Sequence, residues 1–80
     1  MIVYSILGIG SYSFADEKTG VVYEGKSFYV GYKSDNVDGY VCEKVNISNK
    51  KLGDMTFKTG DKIYILYNKY GKVEFLQLVK

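Results

Sequence analysis

An all-β domain is what this sequence predicts, and three observations carry the prediction. Apolar and aromatic residues recur with a period of two, as in Lys62-Ile-Tyr64-Ile-Leu-Tyr67; a strand imposes that period, whereas a helix imposes 3.6. The stretches are separated by glycine and Asx residues, and none of the 80 residues is a proline, which suits hairpin turns. Thirteen residues are aromatic, nine of them tyrosines, and aromatic side chains favour pleated, half-buried surfaces.

The first strand is expected over about residues 2–14, with Gly8 and Gly10 inside it. Glycines within a long strand mark a bulge or sharp bend, the device that turns a barrel corner. The turn Ala15-Asp-Glu-Lys-Thr-Gly20 leads into a second strand over about 21–33, with Phe28, Val30 and Tyr32 on one face and Ser27, Tyr29 and Gly31 on the other. A loop, Ser34-Asp-Asn-Val-Asp-Gly39, precedes a third strand over about 40–48, where Val45 and Ile47 oppose Tyr40, Cys42 and Lys44. Residues 49–60 break the alternation and suit one helical turn or an irregular crossover. A fourth strand over about 61–68 and a fifth over about 73–79 are joined by Lys69-Tyr-Gly-Lys72, a hairpin signal with glycine at the tight position.

Five strands with a crossover between the third and fourth predict a small OB-type Greek-key barrel, a single domain over residues 1–80. An SH3-like barrel is the alternative, and the crossover of about a dozen residues favours the OB type. A chain this short has a thin core, and disulfides, metals or partners often reinforce such folds. One cysteine and no histidine exclude an internal disulfide and argue against zinc. A homodimer is therefore expected. Both faces of the last hairpin are apolar or aromatic, so its interface is expected to bury Leu76 and Leu78 or Tyr64 and Leu66.

The apolar start, Met1-Ile-Val-Tyr-Ser-Ile-Leu-Gly8, lacks a basic leading region and reads as strand rather than signal peptide. No apolar stretch approaches the roughly 20 residues that cross a bilayer. With one unpaired cysteine, a cytoplasmic protein without membrane contact is the expectation.

Chemistry-bearing motifs are few. Gly20-Val-Val-Tyr-Glu-Gly25-Lys26-Ser27 matches a phosphate-binding loop letter for letter. That loop needs a hydrophobic strand before it and a helix after it; here a polar turn precedes and a strand follows, so no nucleotide cofactor is expected. Residues 34–39 hint at a calcium loop, but Val45 stands where the bidentate glutamate belongs. Without histidine there is no base tuned near neutral pH, the acids are scattered, and Cys42 reads as a small buried hydrophobe. A non-enzyme without metal or cofactor is expected.

The net charge of +2 hides an asymmetry: residues 1–43 hold three lysines against six acids, whereas residues 44–80 hold eight lysines against three. All eleven cations are lysines. Lysine is a flexible point charge without the bidentate fork that reads guanine, so a nucleic-acid partner would be bound without sequence specificity.

Gly25-Lys-Ser-Phe-Tyr-Val30, Gly39-Tyr-Val-Cys-Glu-Lys-Val45, Thr59-Gly-Asp-Lys-Ile-Tyr-Ile-Leu66 and Tyr70-Gly-Lys-Val-Glu-Phe-Leu-Gln-Leu-Val79 together span most of residues 20–80. In these segments the chain resembles the small single-stranded-DNA-binding proteins of filamentous phages and related mobile elements. The resemblance implies an OB-type fold, a symmetric homodimer and sequence-tolerant coating of single strands; that family mixes arginine with lysine, and this chain has no arginine. The resemblance and the aromatic–lysine pattern favour the same positions: Lys26, Lys33, Lys44, Lys62, Lys69 and Lys72 along phosphates, and Tyr29, Tyr32, Tyr40, Tyr64 and Tyr70 for stacking. Each tyrosine could equally serve core or interface. Two functions stay open: binding of single-stranded nucleic acid, most simply DNA, and a protein-interaction barrel with no nucleic-acid ligand.

Overall fold

A computed structural model describes residues 2–79 as an all-β domain with one helical turn. The strands are β1 (Tyr4–Ala15), β2 (Val22–Lys33), β3 (Tyr40–Ser48), β4 (Lys62–Tyr67) and β5 (Val73–Leu78), with α1 (Asn49–Leu52) between β3 and β4. All pairings are antiparallel, and the order across the sheet is β3-β2-β1-β4-β5. The strands start and stop within two residues of the bounds expected from alternation. The crossover resolves into α1 followed by irregular chain. Ser48 caps this turn by accepting a hydrogen bond from the Lys51 backbone N–H at 3.3 Å.

The sheet curls but does not close. β3 and β5 are both edge strands with no ladder between them, so the small barrel expected from the five strands stays open along this seam. The curl begins at a bulge in β1, where the register against β2 shifts between Ile6 and Gly8. There β1 leaves β4, which it meets only through Tyr4↔Ile63 and Ser5↔Lys62. Backbone bonds from Ile6 N to Asp61 O at 2.9 Å and from Gly60 N to Ile6 O at 2.7 Å complete the contact. The inserted residue, Leu7, is turned out to solvent.

The concave side is the core: Tyr4, Ile6, Phe28, Val30, Val45, Ile47, Ile63, Ile65 and Leu76, closed at one end by Leu52 of α1. Phe57 from the following loop packs edge-on against Phe28, with centroids 5.7 Å apart. Leu76 lies opposite Ile65 and is only 1% exposed. The expectation that it forms a dimer surface is thus corrected: it is core, and the outer face of this hairpin carries Tyr64, Leu66 and Phe75 instead.

The β1–β2 hairpin outruns the rest of the sheet. Its last pair shared with β3 is Gly25↔Ser48; beyond it Ser13↔Glu24, Phe14↔Tyr23 and Ala15↔Val22 have no third strand. This projecting arm accounts for an elongated shape, 44 × 25 × 25 Å. Its turn is tightly tied. Asp16 Oδ1 accepts from the backbone N–H groups of Lys18 (2.8 Å) and Thr19 (3.3 Å), and Gly20 takes the positive φ of 72° that closes the loop.

The phosphate-loop look-alike is dismantled by this geometry. Gly20 belongs to the arm's turn, and Lys26 and Ser27 sit mid-strand in β2. Ser27 is buried and donates to Asn46 Oδ1 at 2.7 Å.

Candidate functional site

Strand parity sorts the expected contact residues into three groups. Tyr29, Lys33, Tyr40 and Lys44 project from the outer, convex face of β2 and β3, because residues directly opposite in an antiparallel pair share a face. Tyr29 faces Lys44, and Lys33 faces Tyr40. Each cross-strand pair brings an ammonium over a ring: Lys44 Nζ lies 5.9 Å from the Tyr29 centroid and Lys33 Nζ 5.5 Å from that of Tyr40. Both rings remain about half exposed. Four residues separate them along the sheet, about 13 Å.

Glycines make this face flat. The Tyr29 ring lies across Gly8 and Gly10 of β1, where added Cβ atoms would stand 3.6 and 3.8 Å from it. Gly31, beside Tyr40, is contacted by Leu7. The bends expected at the β1 glycines thus also seat an aromatic ring against backbone, leaving its remaining surface free.

Lys62 joins the same face from β4, opposite Ser5, whose Oγ accepts from Lys62 Nζ at 3.5 Å. Together with Gly31, Tyr32, Lys33 and Tyr40, Lys62 and Ser5 line a shallow depression of about 490 Å³ that reaches Ile2 and Val3. The outward positions of β3 from Tyr40 to Asn46 hold no carboxylate. The ion pair found among the described residues, Lys51–Glu74 at 3.2 Å, lies elsewhere. Cys42 is also on this face, opposite Gly31, and is exposed. Its expected burial is therefore corrected: no layer covers the convex side of β3.

The second group is the β4–β5 turn with Lys69, Tyr70 and Lys72. Tyr70 is 74% exposed, and Lys69 Nζ stands 5.2 Å from its ring. Asn68 Oδ1 organises the turn by accepting from the backbone N–H groups of Tyr70 (2.9 Å) and Lys72 (3.0 Å). Tyr64 lies on the outer side of β4, half-buried.

The third group belongs to the concave side, although Tyr32 also borders the depression beside Tyr40. Tyr32 points to the concave side, packs edge-on against Tyr4 at 5.1 Å and donates to Glu43 Oε1 at 3.4 Å. Burial, followed by the Glu43 carboxylate, raises its hydroxyl pKa. Lys26 sits at the end of the concave side, beside a small cavity lined by Phe28, Leu52 and Phe57.

Two features escaped the sequence reading. One is an aromatic ladder on the arm: Tyr12 stacks on Phe14 (6.2 Å), and Phe14 on Tyr23 (5.2 Å). The alternation Ser11-Tyr-Ser-Phe-Ala15 was a signal for it, since it places every aromatic of that stretch on one face. The other is a cleft of about 750 Å³ along the seam between β3 and the β4–β5 hairpin, lined by Lys44, Lys51, Lys72, Tyr23 and Tyr67 among others.

Among the described residues no group of acids and cysteine could hold a metal ion, and no helix is long and apolar enough to cross a membrane. No protein-family model, characterised protein or solved structure matches this chain.

Proposed function

We propose that this protein binds single-stranded nucleic acid, most simply DNA, without sequence specificity, on the convex face of β2 and β3. One observation carries the reading: two tyrosines on that face are each paired in register with a lysine, in a patch free of carboxylates. Rings with an open surface stack bases of any identity, and adjacent ammonium groups neutralise phosphates. With lysine as its only strong cation, the chain has no bidentate fork for reading a base edge.

The fold is best read as OB-type, opened along the seam between β3 and β5. A central β1 flanked by β2 and β4, with the crossover between β3 and β4, supports this reading over an SH3-like one. In OB-type domains the face of strands two and three and the loops joining strands one to two and four to five are the oligonucleotide surfaces. In this chain the face is that of Tyr29 and Tyr40 and the second loop is the Lys69–Tyr70–Lys72 turn, whereas the first is the acidic Asp16–Gly20 turn, which suits phosphates less well.

Titration with oligothymidine at several salt concentrations tests the proposal. Three lysines on the face, Lys33, Lys44 and Lys62, give a log–log salt slope of about −2, and Lys33→Glu with Lys44→Glu makes it shallower, to about −0.7 or closer to zero. A binding constant insensitive to salt, or a slope unchanged in the double variant, contradicts the assignment.

A further inference from the structure

The convex face ends beyond Tyr40, and its last residues are arranged differently from the rest of it. Lys33↔Tyr40 is the final pair of the β2–β3 ladder. Past it the chain enters the loop of residues 34–39, whose charged members are Asp35 and Asp38. Like charges repel, so a polyanion lying along the face from Tyr29 has no favourable path over this loop. On the β1 side the apolar side chains of Ile2 and Val3 form a wall.

Between these two barriers lies the depression of about 490 Å³. Its donors come from three strands: Lys33 from β2, Lys62 from β4, and Ser5 from β1 between them, all on the outer face. Gly31 lies opposite Ser5 and leaves the floor open, since an added Cβ there would stand 3.1 Å from Leu7. No carboxylate lines the depression, and among the described residues neither Lys33 nor Lys62 has an ion-pair partner. Lys62 Nζ meets only Ser5 Oγ, at 3.5 Å, and Lys33 rests over the Tyr40 ring. A charge-assisted bond to phosphate is stronger than either contact.

Two cations and a hydroxyl with no acid beside them are more than an internal phosphodiester calls for, because a diester carries a single charge. A terminal phosphate monoester carries about −1.5 to −2 near neutral pH and offers three acceptor oxygens. We propose that the depression holds the terminal phosphate of a single strand, so that the bound strand starts or stops at Tyr40. This rests on the nucleic-acid reading of the same face and adds to it a preference for phosphorylated ends. Lys33, Lys62 and the Ser5 hydroxyl donate to the phosphate oxygens, and the terminal base lies on the Tyr40 ring, which is 56% exposed.

Fluorescence titrations at low salt with oligothymidines of about six nucleotides, within the site size of one such domain, test this. The strands carry a 5′-phosphate, a 3′-phosphate, or hydroxyls at both ends. One phosphorylated strand is expected to bind at least about fivefold more tightly than the hydroxyl strand, and which one it is gives the polarity of the bound strand. Lys62→Ala and Ser5→Ala each lower that ratio to less than about twofold, whereas Lys44→Ala, outside the depression, weakens all three strands alike and keeps the ratio. Circular dichroism checks that each variant is folded. Saturable binding with equal affinities for the three strands, or a ratio that persists in Lys62→Ala, overturns the proposal and leaves nucleic-acid binding standing. Absence of saturable binding by all three strands overturns the nucleic-acid reading together with it.

Discussion

Tyr29 and Tyr32 are three positions apart, and that spacing gives them different work. Strand parity turns Tyr29 onto the glycine-floored convex face and Tyr32 into the concave side against Tyr4. Tyr29→Ala and Tyr40→Ala should each weaken oligothymidine binding by about 1–3 kcal/mol, read by fluorescence titration, whereas Tyr32→Phe should leave it unchanged. The parity was legible in the sequence, which set Tyr29 and Tyr32 on opposite faces; which face is open was not, because that depends on what the curl covers. Tyr4 permits a second test. Burial, then the neighbouring Tyr67 hydroxyl, holds its hydroxyl well above the ordinary value of 10.0. A folded-state pKa raised in this way contributes stability fully below pH 10 that declines as pH rises further, because the unfolded chain then ionises first. Urea midpoints measured from about pH 9 to about pH 11 should fall less steeply in Tyr4→Phe than in the native chain. Parallel curves would show that Tyr4 does not govern the alkaline limit.

At the scale of elements, the β4–β5 hairpin shows what alternation alone leaves open. Ile63 and Ile65 compete with Tyr64 and Leu66 for the core, and the register shift at Leu66/Tyr67 changes which residues of β5 face inward. An apolar pattern on both faces states that one is buried without stating which. The structure buries Leu76 and exposes Leu78. Leu76→Asp should accordingly cost more than about 4 kcal/mol and unfold the domain, since it places an unpaired charge in the core. Leu78→Asp should be tolerated within about 1 kcal/mol. Thermal melts of the two variants check this; similar melting temperatures would return Leu76 to the surface. The β1–β2 hairpin teaches a related lesson. Its two strands were legible from alternation and from the Asp16–Gly20 turn, but the arm exists because β3 ends at Ser48, opposite Gly25, and where a third strand stops is a matter of tertiary pairing.

The whole molecule is an open, curled sheet in which β1 is the hub and both β3 and β5 are edges. Five strands and a crossover could be counted in the sequence; closure could not, since it depends on whether two edges far apart in the chain meet. They fall short here, with Lys51 reaching from α1 to the Val73 carbonyl and Glu74 at 3.2 Å each, contacts between side chain and edge rather than a ladder. The convex face of β2 and β3 is uncovered, and Cys42 stands between Tyr40 and Lys44 on that surface. Cys42 therefore reports directly on the proposed face, with no substitution required. Its rate of modification by a thiol reagent, followed during titration with oligothymidine at low salt, should fall and level off in step with the quenching of tyrosine fluorescence. Saturable binding that leaves the Cys42 rate unchanged, or no saturable binding to DNA or RNA oligomers of any composition, would contradict the account.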